Sequence, residues 1–111
     1  MPYKEKQIER LYYPIGEVAE MFGVSTSLIR FWEKEFDILQ PRKNRKGDRL
    51  FTQKDLKNLR MIYHLVKERG YTLKGARQKL QDNPDDTIRQ VEIADRLKKL
   101  RSFLEDLRES L

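Results

Sequence analysis

Apolar residues recur along the first third of the chain in two short bursts at helical spacing, with a glycine between them. In IGEVAEMF, Ile15, Val18, Ala19 and Phe22 share one face, and Gly23 follows where a chain leaving a helix often needs positive φ. Ser25 is placed to cap a second helix. There Ile29, Trp32 and Phe36 recur at i, i+3 and i+7, while Thr26, Ser27, Arg30 and Lys34 fall mainly on the other side. Two short helices joined through Gly23 and Val24 predict a helix-turn-helix.

The period changes in ILQPRKNRKGDRLFT. Pro41 ends any helix, Asn44 to Asp48 is a polar, turn-rich tip containing Gly47, and Leu50 and Phe51 resume apolar character, which predicts a β-hairpin wing. Beyond it, TQKD at Thr52 to Asp55 resembles a capping box. Leu56, Leu59, Ile62, Tyr63 and Val66 then form a stripe that ends near Gly70. Thr72 can cap a shorter helix carrying Leu73, Ala76 and Leu80. At QDNPDD, Asn83 and Pro84 stop that helix, while Asp85 and Asp86 suit the start of the next. In this last segment Ile93, Leu97, Leu100, Leu104, Leu107 and Leu111 step by 4, 3, 4, 3 and 4. That is an a/d seam, which predicts pairing with another helix. The seam spans fewer than three heptads, so docking onto the first domain is an alternative use of it.

Composition narrows what such a chain can do. With 111 residues and 38% hydrophobic content it can bury one small core and one extra element, which argues against a large enzyme pocket. The formal charge of +6 points to a polyanion or an anionic surface as partner. Its distribution is uneven: residues 1–82 hold 18 basic and 11 acidic side chains, against 6 and 7 in residues 83–111. Five of the nine residues from Pro41 to Arg49 are basic. No cysteine is present, so disulfides and thiolate metal sites are ruled out, which fits a reducing compartment. The opening MPYKEKQIER lacks the apolar region of a secretion signal, and no apolar run is long enough to cross a bilayer. His64, the one histidine, reads as a surface or partly packed residue. The acid pairs Glu33 with Asp37 and Asp85 with Asp86 have no accompanying nucleophile or phosphate-loop motif, and read as solvated charge and helix capping.

YYPIGEVAEMFGVS, LIRFWEKEFDIL, GDRLFTQKDLKNL and RGYTLKGARQKL, in that order, resemble the MerR family of bacterial transcription regulators over roughly residues 12 to 81. The resemblance implies a mainly α fold: a winged helix-turn-helix DNA-binding domain over residues 12–82 with a small β-hairpin wing, then a C-terminal coiled-coil helix over 85–111. It implies a homodimer joined by that helix as an antiparallel coiled coil, binding an inverted repeat in promoter double-stranded DNA and distorting it, with RNA polymerase as a further partner. The expected setting is the cytoplasm, at the nucleoid. No cofactor, metal or enzymatic activity is expected. Because the chain stops at Leu111, the expectation is a regulator without an effector domain, controlled by its abundance or by a partner protein.

The residues expected to meet DNA are Thr26, Ser27, Arg30, Phe31 and Lys34 on the recognition helix, with Arg42, Lys43, Asn44, Arg45, Lys46 and Arg49 in the wing. Tyr71 and Lys74 match the family's second, smaller wing. Phe31 and Trp32 stand where the family often has two tyrosines; Trp32 reads as core and Phe31 as divided between core and DNA. Ser27 stands where the family often carries arginine, so the strongest specific contact to guanine is absent from that position. The seam residues Ile93, Leu97, Leu100, Leu104, Leu107 and Leu111 are the expected dimer contacts. Two other readings fit the sequence: an excisionase-like or architectural DNA-binding factor, and a protein-interaction adaptor working through the last helix.

Overall fold

Gly23 adopts a left-handed backbone with φ of 64°, and around it the chain turns from one helix into the next. In the computed structural model, which describes residues 10–111, Gly23 and Val24 donate to carbonyls of the preceding helix α1 (Ile15–Phe22), closing its exit. Helix α2 (Thr26–Glu35) starts at Ser25, whose hydroxyl oxygen accepts the Leu28 N–H at 3.1 Å. The cap satisfies one of the donors that a helix start leaves without an internal partner.

Strands β2 (Arg42–Lys43) and β3 (Arg49–Phe51) form the expected antiparallel hairpin. A third strand, β1 (Tyr13–Pro14), pairs with the other edge of β3, giving the order β1-β3-β2. Two residues show no period, so periodicity could not announce β1. Its proline lies on an edge strand, where a missing N–H is tolerated.

Helix α3 (Gln53–Tyr63) follows directly. Its capping box is present: the Asp55 carboxylate accepts the Thr52 N–H at 3.1 Å, and the Thr52 hydroxyl accepts the Asp55 N–H at 3.2 Å. Asp55 is buried, and its other oxygen accepts the Gln40 N–H at 3.1 Å, tying the segment before the wing to the helix after it.

The chain divides into two compact units, one ending at Leu59 and the other running Arg60–Leu111. In the first unit Val18, Ala19, Ile29, Trp32, Phe36, Leu39, Phe51 and Leu59 are buried. In the second the end of α3 passes into a π-helical turn (His64–Glu68), followed by α4 (Leu73–Asp82) and the 26-residue α5 (Pro84–Glu109). Met61, Ile62, Leu65, Ala76, Leu80 and Val91 are its buried apolar residues. Thr72 caps α4 through the Gly75 N–H, and Asn83 caps α5 through the Asp86 N–H. Lys79 beside Asp86 holds that carboxyl below the usual range.

The structure corrects the reading of His64 as a surface or partly packed residue. His64 and Leu65 follow buried Met61 and Ile62 by three residues each and are buried with them, and Arg69 N–H then donates to the His64 carbonyl five residues back, widening the turn. His64 is only 5% exposed. Its Nδ1 lies 2.8 Å from Glu68, whose carboxylate also accepts from Lys98 at 2.7 Å and from Arg60 at 3.3 Å. Arg60 donates in turn to Asp95 on α5.

Partial burial would raise the Glu68 pKa, but hydrogen bonds from Lys98 and His64 and the charge of Arg60 outweigh it and hold the group at about 2, against an ordinary 4.5. A carboxylate held below its unfolded pKa stabilises the fold above about pH 4.5, and this contribution drains away as pH falls toward 2. Glu68→Gln is therefore expected to lower the melting temperature at pH 7 and to flatten the acid limb of the stability profile. Thermal melts across that range check it; parallel wild-type and variant curves would show that the cluster contributes nothing.

Candidate nucleic-acid interface

One side of α2 is fastened and the other is bare. Ile29, Trp32 and Phe36 are buried, with Trp32 only 1% exposed, whereas Ser27, Arg30, Phe31 and Lys34 are exposed and Thr26 is half-buried. The helical period puts these two sets on opposite faces. Phe31, 43% exposed, belongs with the outward set. Ser27, Arg30, Phe31, Glu33, Lys34 and Arg49 line an open depression where α2 meets the wing.

Arg49 on β3 donates from Nε to Glu33 on α2 at 2.6 Å, and both side chains are about three-quarters buried. This ion pair locks the root of the wing to α2. Glu33's partner is thus Arg49, sixteen residues away, and not its neighbour Arg30. Helix spacing cannot reveal such a pair, because its members lie on different elements.

The wing tip is built around Asn44. Its side-chain oxygen accepts the N–H groups of Lys46 and Asp48 at 2.9 and 3.0 Å, and its amide nitrogen donates to the Asp48 carboxylate. Gly47, at φ of 84°, completes the turn, its N–H donating to the Asn44 carbonyl. Asn44's side chain is therefore committed to shaping the loop. Around it Arg42, Lys43, Arg45 and Lys46 are exposed, and among the described residues none of the four is held in an ion pair. Such cations suit phosphate oxygens, which reward charge without requiring a particular base.

Thr26, Ser27, Arg30, Phe31, Lys34 and the six wing residues all lie in the first unit. Tyr71 and Lys74 lie in the second: Tyr71 is half-buried just after Gly70, and Lys74 is exposed in the first turn of α4. The seam residues, also in the second unit, are each about half exposed or more. Among the described residues no cluster of three or more His, Asp or Glu side chains is arranged to hold a metal ion. Nor is any helix among them long and apolar enough to cross a membrane.

A family model for MerR HTH family regulatory proteins matches residues 13–83, from β1 to the cap of α5. The chain belongs to the MerR family. The mercuric resistance operon regulatory protein of Bacillus cereus is 31% identical over 111 residues, covering 87% of this chain and 83% of its own. The HTH-type transcriptional repressor CarH of Myxococcus xanthus is 38% identical over 56 residues, half of this chain; the chain spans only 19% of that relative's length. HiNmlR, a MerR family regulator lacking the sensor domain, crystallised bound to promoter DNA, is similar in structure with a TM-score of 0.53. That match covers 90% of this chain and 87% of HiNmlR at 25% identity. Within the MerR-type match lie α1, α2, the wing and α4, while almost all of α5 lies beyond it.

Proposed function

We propose that the protein is a homodimeric, MerR-type transcription regulator that binds an inverted repeat in promoter DNA and distorts it. One observation carries the reading: the bare face of α2 and a wing with four exposed cations, none in an ion pair among the described residues, belong to the same unit and are joined by the Glu33–Arg49 pair. Such a pairing suits a helix in the major groove with the wing on the flanking backbone. HiNmlR's complex with promoter DNA supports carrying this mode to the present chain.

In this reading Ser27, Arg30, Phe31 and Lys34 face the groove, and Arg42, Lys43, Arg45 and Lys46 hold phosphates. Tyr71 and Lys74 touch the backbone. Asn44 and Arg49, whose polar groups are engaged within the protein, act by positioning the wing. Two copies paired through α5 would present two such surfaces to the two half-sites. The second set of contacts helps offset the cost of deforming a site, about 1–6 kcal/mol for a smooth bend. RNA polymerase reading the distorted promoter is the downstream partner, which places the protein's work at the nucleoid.

The test is the salt dependence of binding. Arg45→Ala combined with Lys46→Ala is expected to weaken binding to every duplex alike and to reduce the slope of log K against log salt by about two units. The melting temperature should stay put, because both side chains are exposed. An unaltered slope would remove the wing from the interface, and no duplex binding at physiological salt would favour the adaptor reading.

A further inference from the structure

Along α5 the environment changes abruptly. Thr87 and Val91 are buried, whereas from Ile93 onward seven large apolar side chains stand exposed. Six of them form the seam. The seventh is Phe103, 60% exposed, immediately before Leu104 and so on the flank of the seam.

We infer that α5 pairs antiparallel with α5 of a second copy about a two-fold axis at the level of Ser102, and that Phe103 meets its own counterpart beside that axis. This rests on the homodimer reading above and adds its register, together with a contact residue outside the leucine repeat.

The argument is one of self-complementarity. Reflecting the seam about Ser102 exchanges Leu97 with Leu107 and Leu100 with Leu104 within the helix, and Ile93 with Leu111 two residues past its end. Every seam residue then has a seam residue of the second copy at its own level, with a-type positions meeting d-type positions as an antiparallel pair requires. Displacing one helix by a heptad in either direction pairs only four of the six with one another. No other choice of axis uses the whole seam.

Charge favours the same arrangement. Reflection sets Lys98 and Lys99 at the level of Asp106 and Glu105 of the second copy, while Arg96 falls at the level of Arg108, so the basic stretch 96–101, with four cations, faces a stretch of net charge −1. A parallel pair in register would instead lay the basic stretch on itself. Arg101, flanking the axis on the side opposite Phe103, would approach its own copy, but Glu105 of the same helix lies 3.4 Å from it and offsets that charge. On the Phe103 side two rings meeting edge-on or offset extend the apolar contact.

The chain contains no cysteine, so single cysteines placed on α5 report without background. Phe103→Cys and Arg101→Cys, each treated with a short bismaleimide, should both convert to covalent dimers. Leu97→Cys should not, because in this register it lies ten residues of helix, about 15 Å, from its own copy. Arg101 is a solvent-exposed position, so this variant keeps the test open if Phe103→Cys folds poorly. A dimeric mass by light scattering with neither flank position linking, or with Leu97→Cys linking readily, overturns the register and leaves the homodimer standing. A monomeric mass for the unmodified chain overturns both.

Discussion

Leu100→Glu combined with Leu104→Glu is expected to turn the protein into a monomer and to weaken binding to an inverted-repeat operator by about 10²–10⁴-fold. Both leucines are half exposed in the single chain, so their replacement leaves the buried residues of α4 and α5 untouched. In a paired helix they would sit in the apolar seam, and four glutamates there would be stripped of water without partners. The loss in affinity follows from geometry. Once one half-site is engaged, the second binding event is intramolecular, and separating the two copies removes that advantage without changing a single DNA contact. Light scattering and operator titration on the same preparation check both halves of the expectation. An unchanged mass would dismiss α5 as the dimer element, whereas a monomer with undiminished affinity would dismiss the bivalent mode of binding.

The neighbouring aromatics of α2 should respond in opposite ways. Trp32→Ala empties a site that is 1% exposed, and is expected to lower stability by about 3–5 kcal/mol, a large share of what a small domain has. Phe31→Ala trims a side chain that is 43% exposed, and should change stability by no more than about 0.5 kcal/mol while weakening DNA binding. Denaturant titration of the two variants side by side separates these outcomes. Equal losses of stability would mean that Phe31 belongs to the core and has no outward role.

Whatever depended on near neighbours could be read in advance from the amino-acid order. Ser25, Thr52 with Asp55, and Thr72 each cap a helix through a bond spanning three residues, and a pattern that short is visible in a linear string; Asn83, read only as ending α4, also caps α5. The outward set on α2 followed from the same logic, because one apolar face implies its opposite. What escaped were the links across the chain. Gln40 reaching Asp55 and Arg49 reaching Glu33 span fifteen and sixteen residues, and nothing in either local pattern marks the partner. The π turn escaped for another reason. A bond closing over five residues leaves no mark in the order of apolar positions; separately, the stripe took Leu56 and Val66, which are half-buried, and passed over Met61, His64 and Leu65, which are buried. Composition and position after the helix-turn-helix brought in the wing residues together, but could not divide Asn44 and Arg49, which shape the wing, from the cations beside them.

Asn44 carries one more implication. The bend of the wing comes from this side chain folding back on its own loop, with Gly47 and Asp48 completing the turn, so no side chain of a cation takes part in shaping the tip. Arg42, Lys43, Arg45 and Lys46 are thereby released from any duty to the fold. In an evolving lineage these four positions can gain or lose positive charge one at a time, retuning the protein's sensitivity to salt and crowding, while the thermal stability of the domain stays where it was.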